Sequence, residues 1–327
     1  MEFTTAVKPY SYPFSIQHHD KIFTIGSCFS ENIGKKFSEN KFNIKINPFG
    51  QQYNPTSIAQ GIDRIINSKY FTDDDIIFRD ELYHCWQHHS DFSKPNKEDL
   101  LIEINTSLQQ NLEHLKQSDY LFITFGTSHV FHWKQDGRIV SNCHKISGSE
   151  FDFRFLSSDE IVEQINNCLN AVKLVNNKVK IILTISPVRY LAFGFFENNL
   201  SKANLFMAID RLIKDRNDCF YFPAFEIVMD ELRDYRFFAE DMLHPNHQAS
   251  QYVWEKMCTM MMQKETIDLM HEIYKITAAV NHKPRNENSD AHKKFIQNTI
   301  QKINILKQKS GRMNWEEEIE KLNLKVK

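Results

Sequence analysis

Residues 21–37 read KIFTIGSCFSENIGKKF. The run from Lys21 to Ile25 is apolar and short, which predicts one buried strand. Phe29, Ile33 and Phe37 then recur every four residues, one face of a helix. Gly26, Ser27 and Cys28 fall between the two, so a strand turns into a helix at a serine–cysteine pair. Either side chain could be a nucleophile placed at the end of a strand.

The same alternation continues along the chain. Phe42 to Ile46 alternates apolar and polar, a strand with one covered face. Asn54-Pro55-Thr56 opens a helix carrying Ile58, Ile62, Ile65 and Ile66. Residues 70–98 are polar and His-rich and read as a long loop. Leu101, Ile104, Leu108, Leu112 and Leu115 mark a helix, and Tyr120 to Phe125 a continuous apolar strand ending at Gly126. Asp136-Gly137 signals a hairpin within 133–140. Ser157 and Glu160 form a capping box. Val179 to Ile185 is a strand stopped by Ser186-Pro187, and Ser201 reads as the cap of the next helix. Phe220 to Phe222 is a short strand, and Pro245 begins a helix with Ala249, Tyr252, Val253 and Met257. Continuous rather than alternating strands, each followed by a helix, imply a parallel sheet covered on both faces. The expected fold is therefore α/β, a three-layer doubly wound sandwich, with sites at the C-terminal ends of its strands.

A linker at 283–289 precedes an amphipathic helix bearing Ile296, Ile300, Ile303 and Leu306 opposite many lysines. Two units follow: 1–280, the α/β domain, and 281–327, a helical tail docking its apolar stripe on that domain or on a partner chain. In 327 residues, 41% hydrophobic and 25% charged content is that of a globular protein, and 26 Phe against 9 Gly predicts an aromatic-rich core. A net charge of −2 gives no case for nucleic acid. No apolar run reaches the ~20 residues of a membrane span. The N-terminal residues lack the basic and apolar regions of a signal peptide, so a cytoplasmic protein is expected. Six dispersed cysteines without a C-x-x-C pair fit reduced thiols.

The second chemical signal is Glu240-Asp241-Met242-Leu243-His244-Pro245-Asn246. An Asp three residues before a His can hold one imidazole nitrogen while the other faces a nucleophile, the orienter–base half of a triad. At the first turn of its helix, Cys28 would meet unpaired N–H groups and the positive end of the dipole, which favours thiolate. That argues for Cys28 over Ser27.

Gly26-Ser27-Cys28, Gly50, Gly126-Thr127-Ser128 and Asp241-Met242-Leu243-His244 resemble the four blocks of SGNH/GDSL hydrolases. Gly26-Ser27-Cys28-Phe29-Ser30 more closely resembles the name-giving motif of the GSCFA family, a bacterial branch of that superfamily. Asn47-Pro48-Phe49-Gly50, Tyr53-Asn54-Pro55, His88-His89-Ser90, Asn142-Cys143-His144-Lys145 and Ser186-Pro187-Val188 are similar to that family too. The resemblance spans roughly residues 15–265 and implies a flavodoxin-like, SGNH-type sandwich. It also implies an ester hydrolase or acyltransferase, acting on a small-molecule or carbohydrate ester such as an acetyl ester, with a Cys28–His244–Asp241 triad. Two departures stand out. Cys28 occupies the place of the superfamily's serine, with Ser27 where its aspartate would be, and Ser128 replaces the asparagine that donates to the oxyanion. The oxyanion would then rest on backbone N–H groups at Cys28 and Gly50, with Gly126 opening the third block and Ser128 Oγ as a weaker donor.

Asn54, His88, His89, Asn142 and His144 lie in segments expected to overhang the strand ends and bind substrate. The spacing of His88, His89 and His144 does not support a metal, and no phosphate-binding glycine motif supports a nucleotide, so no cofactor is expected. Ser201-Lys202 could add charge to the pocket. Ser128 in place of asparagine also allows a different class of protein, a catalytically inactive module that binds glycans or a protein. The oligomeric state is open.

Overall fold

The computed structural model describes residues 4–310 and 313–325. Residues 1–3 of the N-terminal stretch, and 311–312 and 326–327 of the expected tail, lie outside the described residues. In chain order the strands and helices are β1 (Lys21–Gly26), α1 (Cys28–Glu39), β2 (Asn43–Ile46), α2 (Pro55–Ile66), β3 (Ile76–Arg79), β4 (Leu82–Cys85), α3 (Lys97–Gln117), β5 (Tyr120–Phe125), β6 (His129–Trp133), β7 (Ile139–Val140), β8 (Phe151–Phe155) and α4 (Ser158–Val175). There follow β9 (Lys180–Ile185), α5 (Phe195–Asp215), β10 (Cys219–Tyr221), α6 (Ala224–Glu226), α7 (His247–Met261), α8 (Lys264–Asn281), α9 (Asp290–Ser310) and α10 (Glu316–Leu324). Among these residues no helix is long and apolar enough to cross a membrane.

Five strands form the central sheet in the order β10-β9-β5-β1-β2, and every pairing in it is parallel. Counted among themselves, these strands run 2-1-3-4-5, which places a topological switch point between β1 and β5. Alternate residues leave opposite faces of a strand. Phe23, Ile25, Leu121, Ile123 and Leu183 therefore pack with Ile58, Ile104, Ile165 and Leu205 of α2 to α5. Ile22, Tyr120, Phe122 and Ile182 pack with Phe29 and Phe37 of α1 and Val253 and Trp254 of α7. Helices thus cover both faces of a parallel sheet, as continuous apolar strands require.

Three segments differ from expectation. The stretch 70–98 contains the antiparallel hairpin β3–β4. Its turn is Asp80-Glu81, both at positive φ (48° and 62°) without a glycine, so the usual hairpin signal is missing. The hairpin expected at 133–140 gains a third strand, β8, and the small sheet runs β7-β6-β8. Helix α5 begins at Phe195, six residues before Ser201, after Gly194 at φ 104° with no side-chain cap. Ser201 is consequently a buried mid-helix residue rather than a cap. The capping box at Ser157 and Glu160 and the Asn54 cap of α2 form as read.

The apolar stripe of α9 (Ile296, Ile303, Leu306) packs on Ile273, Ile276 and Val280 of α8, with Trp315 and Leu322 closing the cluster. Lys41, just past α1, reaches Glu318 Oε1 at 2.5 Å and lies 4.9 Å over the Trp315 ring, which ties α10 back to the α/β body.

Gly26 is where the sheet edge becomes a site. It sits at φ +142°, and a Cβ there would lie 2.2 Å from the Thr124 carbonyl oxygen of β5. Gly26→Ala is expected to destabilise the protein by about 2–6 kcal/mol, combining backbone strain with overpacking. Urea unfolding would read this as a lower midpoint at unchanged slope.

Candidate active site

The Gly26 turn delivers the next two side chains differently. The Ser27 N–H donates to Thr124 O at 3.1 Å. Its Oγ accepts the Phe29 N–H at 3.3 Å, and the residue is only 1% exposed. Ser27 is thus the N-cap of α1, its hydroxyl engaged in capping. Cys28 follows as the first helical residue, half-buried and without a disulfide. Burial pushes its thiol up, while the Phe29 N–H and the Lys202 ammonium pull in the opposite direction. The helix-end effect expected from sequence is present, but desolvation outweighs it and the net direction is upward.

The neighbouring strand ends close around this turn. After β2, Asn47 stands at φ 36° and donates its backbone N–H to Thr24 O at 2.9 Å. Gly50, at φ +74°, donates its N–H to Asn47 O at 2.7 Å, and a Cβ on it would meet His89 Cβ at 2.3 Å. After β5, the N–H groups of Gly126 and Thr127 both donate to the Tyr53 carbonyl, at 2.7 and 3.0 Å. The amides of Gly50 and Gly126, expected to serve an oxyanion, are therefore engaged within the protein. Ser128 is fully buried; its N–H donates to Ser201 Oγ at 2.7 Å and its own Oγ has no partner among the described residues.

Lys202 was read only as a possible charge. Its side chain is 3% exposed, and Nζ donates to Gly126 O and Ser186 O, both at 2.7 Å. One ammonium thus ties the ends of β5 and β9. Burial pushes it down to about 7, and the Cys28 thiol acts in the opposite direction. Thr127 was also missed; its Oγ1 bonds His129 Nδ1 at 2.8 Å and Ser201 Oγ at 2.9 Å. The sequence signal that could have found Ser201 and Lys202 is a polar pair on the buried face of an amphipathic helix.

Asp241 and His244 meet as their spacing suggested. Asp241 Oδ2 and His244 Nδ1 are 2.6 Å apart, and Oδ1 accepts the N–H groups of Leu243 and His244 at 2.9 and 3.0 Å. Met242 turns between them at φ 58°. Those N–H groups and the imidazole hold the Asp241 carboxyl down to about 2. Both side chains are about half exposed (47% and 49%), and His244 Nε2 carries no hydrogen bond among the described residues. The structure joins Asp241 to His244; no hydrogen bond joins His244 to Cys28.

The residues expected to bind substrate divide by burial. His88 is 1% exposed, packed within 5.0 Å of the rings of Phe49, Phe71 and Phe92, and pushed down to about 3 by that burial. His144 is equally enclosed, with Nδ1 on Ser90 Oγ at 3.1 Å and Nε2 on Cys85 O at 2.9 Å. Asn142 Oδ1 accepts the His144 N–H at 2.9 Å, and Asn54 Oδ1 accepts the Ser57 N–H at 2.8 Å. These four hold loops and helix ends together. His89 stays 25% exposed beside Asp91, and Tyr53, 36% exposed, interacts electrostatically with Cys28. His88, His89 and His144 do not converge on a metal site; no such cluster occurs among the described residues.

The sequence model of the GSCFA family matches residues 21–257, and that of the GSCFA domain protein, C-terminal domain, matches 273–327. No curated protein matches the chain. Among solved structures, the crystal structure of a carbohydrate esterase family 3 from Talaromyces cellulolyticus matches at 12% identity with a TM-score of 0.27, over 47% of this chain. The chain spans 60% of the length of that structure.

Two consequences can be measured. Ser201→Ala leaves the buried Ser128 N–H without its acceptor and is expected to cost about 1–3 kcal/mol in urea unfolding. The depressed Asp241 carboxyl stabilises the turn above the ordinary carboxylate range, and that contribution is lost as pH falls through about 2. Carbon-13 NMR of the Asp241 carboxyl should therefore show a midpoint near that value.

Proposed function

The chain belongs to the GSCFA family, and from that premise we propose that it is an SGNH-like ester hydrolase or O-acyltransferase using Cys28, His244 and Asp241. The observation that carries the reading is the Asp241–His244 pair: a 2.6 Å contact fixes Nδ1 and leaves Nε2 exposed and unbonded. That is the arrangement of a general base awaiting a proton. Accessibility supports Cys28 as its partner, because Ser27 is buried and caps α1 while Cys28 is half-buried.

In this reading Cys28 gives its proton to His244 Nε2, and the thiolate attacks the acyl carbonyl to form a C–S bond. As the C–O bond of the ester breaks, His244 returns the proton to the leaving alkoxide. Water or an acceptor hydroxyl then attacks the thioester, loses its proton to His244 and releases the thiolate. The oxyanion meets the Cys28 N–H, which already faces the thiol. Tyr53, which interacts electrostatically with Cys28, lines the approach to it. The substrate class is a small acyl ester; an acetyl ester on a carbohydrate follows from the superfamily resemblance. Residues 1–280 carry the chemistry and 281–327 form a helical extension.

The second reading, an inactive module that binds glycans or a protein, is favoured by one observation: the Gly50 and Gly126 amides are engaged internally. Turnover of p-nitrophenyl acetate separates the two. Cys28→Ala is expected to abolish turnover with the melting temperature nearly unchanged, Ser27→Ala to retain it, and His244→Ala to lower it about 10²–10⁴-fold. Equal rates in wild type and Cys28→Ala assign the chain to the binding reading.

A further inference from the structure

Two arginines near the His244 turn have no anion to answer them. Arg189 lies just past the end of β9, and Arg233 closes the π-helical turn Ile227–Leu232. Both line one cavity of about 210 Å³, together with Val228, Asp234, Tyr235 and Phe238. Arg189 is half-buried, and its Cζ lies over the rings of Phe195 and Phe238, 5.9 and 5.8 Å from their centres. The two rings hold the guanidinium in place without using its N–H donors. Neither guanidinium has a hydrogen-bond or ion-pair partner among the described residues. Asp234, the carboxylate of this cavity, is already engaged. Its Oδ1 accepts the Arg236 N–H at 2.9 Å, and its Oδ2 lies 3.6 Å from Arg236 Nε. Two like charges lining one small cavity repel each other, and burial strips part of the water from Arg189. An anion in the cavity offsets both costs.

The backbone at Arg233 is an independent sign. It stands at φ 39° and ψ 34°, the left-handed conformation in which glycine is the unstrained choice. Its N–H donates to Val228 O at 3.1 Å. An arginine in a strained conformation beside a candidate site points to a role for its side chain. The cavity is also fastened to the turn that carries His244. Phe238 forms a β-bridge with Pro245, and the Ala239 N–H donates to His244 O at 2.7 Å. In the proposed reaction His244 returns its proton to the leaving alkoxide, so the alcohol portion of the ester lies on this side.

We propose that Arg189 and Arg233 form an anion subsite that takes a carboxylate or a phosphate on the alcohol portion of the ester. Both groups present oxygens to the planar fork of N–H donors that a guanidinium offers. The placement on the alcohol side rests on the reading of His244 as proton carrier.

The test is an NMR titration of the nitrogen-15-labelled full chain with inorganic phosphate and, separately, with benzoate at constant ionic strength. The Arg189 Nε–H signal is expected to shift saturably with at least one of them, and the one that saturates at lower concentration names the preferred anion. Arg233→Gly is expected to weaken that binding about tenfold through loss of a charge-assisted hydrogen bond. Because glycine suits the left-handed backbone, this variant should melt no lower than wild type. Should it fail to fold, Arg189→Met, read at the Arg233 signal, gives the same comparison. No saturable shift with either anion, or equal binding by the folded variant, overturns the proposal. Turnover then tests the placement. The kcat/KM advantage of para-acetoxybenzoate over neutral para-acetoxybenzamide is expected to fall about tenfold in Arg233→Gly, and an unchanged ratio overturns the alcohol-side subsite. If neither ester is turned over, the hydrolase reading fails and the titrations alone decide the anion site. Absent anion binding alongside Cys28-dependent turnover refutes the subsite and leaves the hydrolase reading standing.

Discussion

The contact on which the rest depends is the one between the end of β1 and the backbone of β5. Thr124 O takes the Ser27 N–H and leaves no room for a side chain on Gly26. That closeness forces the chain to turn immediately after the strand. Ser27 is driven inward as a cap, and Cys28 begins the helix at the switch point of the sheet. The other strand ends are then fastened to this point by main-chain carbonyls. Tyr53 O holds the loop after β5, and Lys202 bridges the carbonyls of Gly126 and Ser186. The site is therefore built mostly of backbone, which explains why several of its anticipated amide donors are already engaged.

The central sheet was legible because its strands are buried on both faces and therefore written as unbroken apolar runs, as in Tyr120 to Phe125. The two small antiparallel sheets were less legible. The β3–β4 turn carries Asp80-Glu81 in left-handed conformation, where a glycine would have announced it. The start of α5 was misplaced because Ser201 has the chemistry of a cap, while the true start at Gly194-Phe195 has no capping side chain. Within the site, Asp241 and His244 were readable because three residues of local chain determine their contact. His88 was not, since its burial is made by Phe49, Phe71 and Phe92, brought together from separate segments.

The same division between local and tertiary effects explains the thiol. A helix N-terminus is visible in sequence, and its pull on Cys28 exists in the structure. Desolvation depends on what packs around the turn and acts against it. Tyr53 and Lys202, both of which interact electrostatically with Cys28, come from segments that only the fold brings close. Burial weakens the ionisation of Cys28, and burial also makes any charge near the thiol act more strongly, since an interior charge is poorly screened.

This gives the Asp241–His244 pair and the Cys28 turn opposite characters. Asp241 and His244 are about half exposed, on a turn fastened from behind by Asn246, whose Nδ2 donates to Arg236 O at 2.8 Å and whose N–H donates to Phe237 O at 2.9 Å. Their contact is open to solvent, so any charge interaction within it is weakened by screening. Cys28 and Lys202 lie on the rigid side, where the sheet sets distances and the low dielectric strengthens charge. In the proposed reading, the sheet would hold the thiol in place and the exposed turn would supply the imidazole that carries its proton.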